Sequence, residues 1–134
     1  MPVTSSSSLD LRSEYDVVRA RQAVRKLAQE YKFSLVDQTK LVTAASELAR
    51  NTVIHGRGGN LVLEVLTEGA RHGIRLHFAD EGPGIPDIAL AMTDGWTSGT
   101  GLGLGLTGAK RLSNEFELDS APGRGTRVTI TRWT

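Results

Sequence analysis

The chain contains no cysteine. Disulfides, thiolate zinc sites, iron–sulfur clusters and thiol catalysis are therefore excluded, and the composition fits a reducing compartment. No run approaches the ~20 apolar residues that span a bilayer as a helix. No basic-then-apolar segment opens the chain as a secretory signal would. The expected location is the cytoplasm, with no membrane partner. An excess of either charge is also missing: 16 basic against 15 acidic residues leave +1. Nucleic-acid binding by bulk charge is disfavoured, and no nucleic-acid partner is expected.

What is present is one domain's length, 134 residues with 39% hydrophobic. Such a chain buries roughly two-thirds of its unfolded surface and needs no covalent staples. Glycine is over-represented at 15. More than half of these lie between Gly82 and Gly108, which marks one stretch where backbone approaches something closely or takes positive φ.

Residues 1–8, with a four-serine run, are expected to be a disordered tail. Residues 9–134 form the domain. Leu9 to Arg12 alternates like a short strand. Ser13, with Asp16 three residues on, reads as a helix N-cap. Val17, Ala20, Val24, Leu27, Ala28 and Tyr31 follow at helical spacing, with basic residues opposite, to about Lys32. Ser34 and Asp37 repeat the capping pattern before a second helix, about Leu35 to His55. Leu41, Ala44, Ala45, Leu48 and Thr52 form its inward stripe, and Gly56, Gly58 and Gly59 stop it. Leu61 to Glu68 and Ile74 to Ala79 read as strands around a turn. Thr107 to Asn114 reads as a helix, and Glu115 to Ser120 with Arg127 to Trp133 as a last strand pair. Helices and strands are segregated rather than alternating. That predicts α+β: a two-layer sandwich whose mostly antiparallel sheet carries helices on one face.

Four patterns carry possible chemistry. Glu47 and Asn51 stand four apart on a helix and so project from one side. A carboxylate and an amide oxygen suit a hard cation or an activated water. Alone, the pair is usually a solvated helix edge. Asp80-Glu81-Gly82-Pro83-Gly84 ends a strand. Alone it is an ordinary turn, but a carboxylate there could accept from an exocyclic amine while the glycines admit a flat ring. Gly99 to Leu106 alternates glycine with leucine from Gly101 onward and opens the Thr107 helix. Backbone N–H groups and the positive end of a helix dipole make such a loop an anion site. A Rossmann reading fails because no strand precedes it, and a P-loop fails because Ala109 intrudes before Lys110. Gly123-Arg124-Gly125-Thr126 alone is a hairpin turn. His55, His72 and His77 are scattered without partners at ligand spacing, so neither zinc nor a catalytic triad is expected.

In this order the four patterns resemble the GHKL ATPase/kinase superfamily, which includes histidine-kinase catalytic domains and gyrase-type ATPases. The nearer resemblance is to the small bacterial serine/threonine-protein kinases of anti-sigma systems, and within these to the RsbT-type switch kinases of stress-signalling complexes (stressosomes). It runs from about Leu9 to Trp133 and implies the Bergerat ATP-binding fold. ATP and Mg²⁺ are the implied cofactors. Asn51 would hold Mg²⁺ against the phosphates, and Glu47 would act as general base or orient the attacking hydroxyl. Asp80, in the turn with Gly82, would accept the adenine amino hydrogen, with Gly84 and Thr126 completing the adenine pocket. Gly101, Leu102, Gly103, Leu104 and Gly105 would form the phosphate loop. Ile88 to Gly99 would be a short ATP lid with Trp96 and Thr97 near its tip. The Phe-rich lid motif of histidine kinases is absent, and no phosphoacceptor-histidine helix precedes the domain, so the acceptor must come from another protein.

The function this implies is an ATP-dependent serine/threonine-protein kinase of a partner-switching system. It would phosphorylate a STAS-domain antagonist and then activate a metal-dependent serine phosphatase. The alternative is a non-catalytic, ATP-gated module that sequesters a partner such as a sigma factor.

Overall fold

The computed structural model describes residues 2–85, 87–92 and 102–134, with residues 102–104 by backbone alone. Strand β1 (Val3–Leu11) leads to helices α1 (Glu14–Glu30) and α2 (Leu35–Ile54), then strands β2 (Gly59–Glu68) and β3 (Arg71–Asp80). A short helix α3 (Ile88–Ala91), helix α4 (Leu102–Arg111) and strands β4 (Glu115–Ser120) and β5 (Thr126–Trp133) follow. The sheet is antiparallel in the order β1-β2-β3-β5-β4. The expected α+β class and antiparallel sheet are borne out.

The core lies between the sheet and the helices. Val17, Ala20, Val24 and Ala28 of α1 are buried, as are Leu41, Ala44, Ala45, Leu48 and Thr52 of α2. They meet Leu61, Leu63, Ile74, Leu76, Phe78, Val128 and Ile130 from the central strands. The other sheet face carries a polar cluster at its middle. There His77 Nε2 stands 2.6 Å from Glu64 Oε1 and its Nδ1 3.0 Å from Thr129 Oγ1, while Arg75 Nε donates to Glu64 at 3.0 Å. Burial works to raise the Glu64 pKa, but the His77 and Arg75 hydrogen bonds outweigh it and hold the carboxyl below its ordinary range.

Two elements depart from expectation. Residues 3–8 are not a disordered tail but the outer part of β1, paired with β2 from Val3↔Leu66 through Ser8↔Val62. Their side chains are exposed, so ladder hydrogen bonds rather than burial hold them, and no apolar pattern announces the strand. Helix α4 begins at Leu102 rather than Thr107 and takes Gly103 and Gly105 into its turns. Each helical glycine costs roughly 1 kcal/mol relative to alanine. Packing against α2 offsets this, and Gly105 has a steric reason to be there. A Cβ on it would lie 3.0 Å from Asn51 Nδ2 and 3.3 Å from Oδ1.

Candidate functional site

The C-terminal end of α2 reaches β2 through only residues 55–58. The His55 and Gly56 N–H groups both donate to the Asn51 carbonyl, at 2.9 and 3.0 Å, and that of Gly58 donates to Thr52, at 2.9 Å. Gly59 then pairs directly with Asp80 in the ladder, and Asp80 with Thr126. This tight return sets Asn51, Asp80 and Thr126 around one pocket, although they are far apart in sequence. The pocket is a shallow, open one whose cavity volume is only about 30 Å³. Its walls are mainly apolar, from Leu48, Phe78, Ile85, Leu106 and Val128, with a few convergent polar groups. That is the usual make-up of a small-molecule site.

Asp80 is the pocket's carboxylate. The Gly82 N–H donates to its Oδ1 at 2.9 Å. Burial raises its pKa above the ordinary 3.8, partly opposed by backbone hydrogen bonds from Gly82 and Thr126. Gly84 (φ +77°) and Gly125 (φ +76°) need the left-handed region. A Cβ on Gly84 would strike the Ala121 carbonyl, and one on Gly125 the Asp80 carbonyl. These two glycines bring the β4–β5 hairpin against the end of β3.

Asn51 is the second polar group. Its Nδ2 is buried and has no hydrogen-bond partner among the described residues. A buried amide without a partner costs about 1–3 kcal/mol, so a ligand that pairs with it is bound with advantage. The same amide carries an oxygen donor suited to a hard cation. Among the described residues no cluster of three His, Asp or Glu could hold a metal by itself. Asn51 therefore fits a Mg²⁺ that arrives with phosphates, the usual state of that ion in nucleotide sites.

Glu47 is not in the pocket wall. It lines a neighbouring groove between α1 and α2, its side chain is 42% exposed, and Arg50 Nη1 lies 3.8 Å from its carboxylate. The shared helix side places Glu47 one turn beyond Asn51, toward solvent. Gly82 acts through its N–H on Asp80, Gly84 and Thr126 line the pocket, and Gly105 packs on Asn51. The α4 backbone begins at Leu102, so Gly103 and Leu104 occupy its first turn. Gly101, Trp96 and Thr97 lie outside the described residues, as does most of the expected lid, of which 88–92 form α3 and its cap.

His55 and Gly56 line the pocket and were missed by sequence reasoning. His55 follows Asn51 by four residues, the spacing that tied Asn51 to Glu47, so the signal was present in the helix stripe.

A family model described as histidine kinase-, DNA gyrase B- and HSP90-like ATPase matches residues 36–133. The chain belongs to this family. It is 40% identical over 131 residues, 98% of both chains, to the serine/threonine-protein kinase RsbT of Bacillus subtilis. It is 31% identical over 120 residues to an anti-sigma F factor of Thermoanaerobacter, covering 85% of this chain and 82% of that one. Among solved structures, the RsbU and RsbW domains of a Mycobacterium tuberculosis protein share its fold with a TM-score of 0.65 and 21% identity, over 96% of this chain and 32% of that one. The family supplies ATP use and the full-length relative the kinase activity: the chain is an ATP-using serine/threonine-protein kinase. No helix among the described residues is long and apolar enough to cross a membrane.

Proposed function

We propose that the chain transfers the γ-phosphoryl group of Mg·ATP to a hydroxyl of a STAS-domain protein, and that release from the phosphorylated partner frees it to engage a metal-dependent serine phosphatase. The observation that carries this is the convergence of Asp80 and the unpaired Asn51 amide on one apolar pocket. Asp80 accepts the adenine amino hydrogen, while Gly84 and Thr126 flank the ring. Asn51 would hold Mg²⁺, which would supply positive charge against the phosphates. The N–H groups opening α4, left without intrahelical acceptors, face phosphate oxygens. Glu47, on the solvent side of the same helix stripe, receives or orients the acceptor hydroxyl.

Phosphoryl transfer passes through a loose transition state, so positioning and charge matter more than strong base catalysis. A new phosphate adds up to about two negative charges and several acceptors to the partner, enough to change its docking. Incubation with labelled ATP, Mg²⁺ and STAS-domain proteins encoded beside the gene tests this directly. Label on a partner hydroxyl is expected, and no label with any partner despite tight ATP binding overturns transfer. A second reading, an ATP-gated sequestering module, draws on the similarity to anti-sigma F factors and predicts that last result.

A further inference from the structure

We propose that Gly56 is a positioning residue for the Asp80 carboxylate: the space left by its missing side chain is where that carboxyl group stands. The inference rests on Asp80 as the adenine anchor. A Cβ built on Gly56 would overlap Asp80 Cγ and Oδ2 and lie 2.6 Å from its Cβ. Gly56 is not among the residues with positive φ, so its backbone accepts alanine and only the lack of room forbids one. On the other side, the Gly82 N–H holds Oδ1 at 2.9 Å. Gly82 is itself so close to Gly56 that a Cβ on it would lie 2.8 Å from Gly56 Cα. The carboxyl is thus wedged between two glycine backbones, one oxygen on an N–H and the other against Gly56.

Gly56 also donates its own N–H to the Asn51 carbonyl at 3.0 Å. It therefore ties the helix end carrying the phosphate-side amide to the carboxylate on the base side. Rotating the Asp80 side chain, which has two soft torsions, relieves the two closest overlaps of a methyl group at Gly56, and a small backbone shift takes up the third, at the Asp80 Cβ. That rotation takes Oδ1 off the Gly82 N–H and aims the acceptor away from the pocket. A glycine that merely ended α2 would influence stability alone.

The test compares binding of Mg·ATP with that of Mg·purine riboside triphosphate, which lacks only the exocyclic amine. Wild type is expected to prefer ATP by about 10- to 100-fold, the worth of a hydrogen bond to a charged acceptor. Gly56→Ala should lose most of that preference while binding the amine-free analogue within about threefold of wild type. Adding Gly56→Ala to Asp80→Ala should reduce the preference no further. A wild-type preference retained in Gly56→Ala overturns the proposal, and so does equal weakening of both nucleotides. If wild type shows no preference, the anchor assignment itself fails. Should Gly56→Ala not fold, the Gly56→Ala/Asp80→Gly double variant decides, since removing the whole Asp80 side chain, Cβ included, makes room for the methyl. It is expected to be more stable than Gly56→Ala alone, and equal or lower stability refutes the idea.

Discussion

At the end of the sheet that carries Trp133, nearly every buried side-chain polar group among the described residues is matched within the chain. Arg132 Nη2 donates to Asp37 at 2.7 Å and Nη1 to the Leu112 carbonyl at 3.0 Å. Trp133 donates its N–H to Asn114 and its indole N–H to Glu115, at 2.7 and 2.9 Å. The exception is His72 Nδ1, buried beside the Tyr31 ring without a partner. The opposite end, around Asp80, is finished differently. Asn51 Nδ2 is unmatched, burial raises the Asp80 pKa, and glycines at positive φ hold the backbone close. One end commits its polar groups to the fold; the other, in the function proposed above, keeps them for a ligand. Changes at the first should therefore cost stability with little effect on nucleotide binding, and changes at the second should do the reverse.

The largest expected effect is at Asn51. Asn51→Ala should weaken Mg·ATP binding and abolish transfer without lowering the unfolding free energy, because it removes an unsatisfied buried amide rather than a made bond. Glu47→Ala should leave ATP affinity nearly intact and slow transfer by about 10²–10⁴-fold, with the low end favoured for a loose transition state. ATP titration and single-turnover labelling of the partner separate the two variants. If Glu47→Ala transfers at the wild-type rate, Glu47 is not the base, and its pairing with Arg50 is all it does.

Asp80→Asn ranks next, with about a 10- to 100-fold loss of ATP affinity in a folded protein. Its pH dependence sharpens the contrast between the ends. Because burial raises the Asp80 pKa, wild-type affinity should begin to fall on acidification at a higher pH than an ordinary carboxylate would dictate. In Asp80→Asn that arm of the profile should vanish. Stability has the opposite sign: a raised carboxyl pKa means that ionising Asp80 weighs against the fold as pH rises. The variant should thus be no less stable than wild type at neutral pH, which denaturant unfolding checks.

Legibility in the sequence follows the same division. The α2 stripe from Leu41 to Thr52 was readable because helical period and burial coincide. The Glu47 and Asn51 pairing was readable from spacing, but spacing could not say that the pocket takes Asn51 and leaves Glu47 in a separate groove. The serines of β1 escaped because an exposed edge strand is held by backbone pairing that composition does not record. The start of α4 escaped because glycine disfavours a helix locally, while contact with Asn51, distant in sequence, favours glycine there. Gly56 read only as a helix stop, since its contact with Asp80 exists only in three dimensions.

At the matched end, Asp37→Asn should cost about 1–3 kcal/mol of stability, since it breaks a partly buried, charge-assisted hydrogen bond. The Arg132 hydrogen bond leads the causes that hold the Asp37 pKa below its ordinary value. A depressed carboxyl pKa contributes stability that is present above the unfolded value and is lost as pH falls through the folded one. Wild type and Asp37→Asn should therefore converge in stability on strong acidification, with ATP affinity near neutral pH the same in both. An affinity change beyond about threefold would show that the two ends are not independent.

The smallest effect compares the two helix starts. Ser34, which opens α2 at the matched end, accepts the Asp37 N–H on its hydroxyl at 3.1 Å. Ser13 stands at the equivalent point of α1 but makes no side-chain cap bond. There Asp16 instead accepts the Arg12 N–H at 2.8 Å, tying down the residue before the cap. The sequence pattern is alike at both sites, a serine with an aspartate three residues later, yet the bonds differ. Ser34→Ala should therefore cost about 1 kcal/mol, the usual worth of an N-cap bond. Ser13→Ala should stay within about 0.5 kcal/mol, as surface substitutions without a bonded role do. Paired urea titrations resolve this difference. Equal losses would mean that Ser13 caps α1 in solution, and that the start of this helix is as fully bonded as the start of α2.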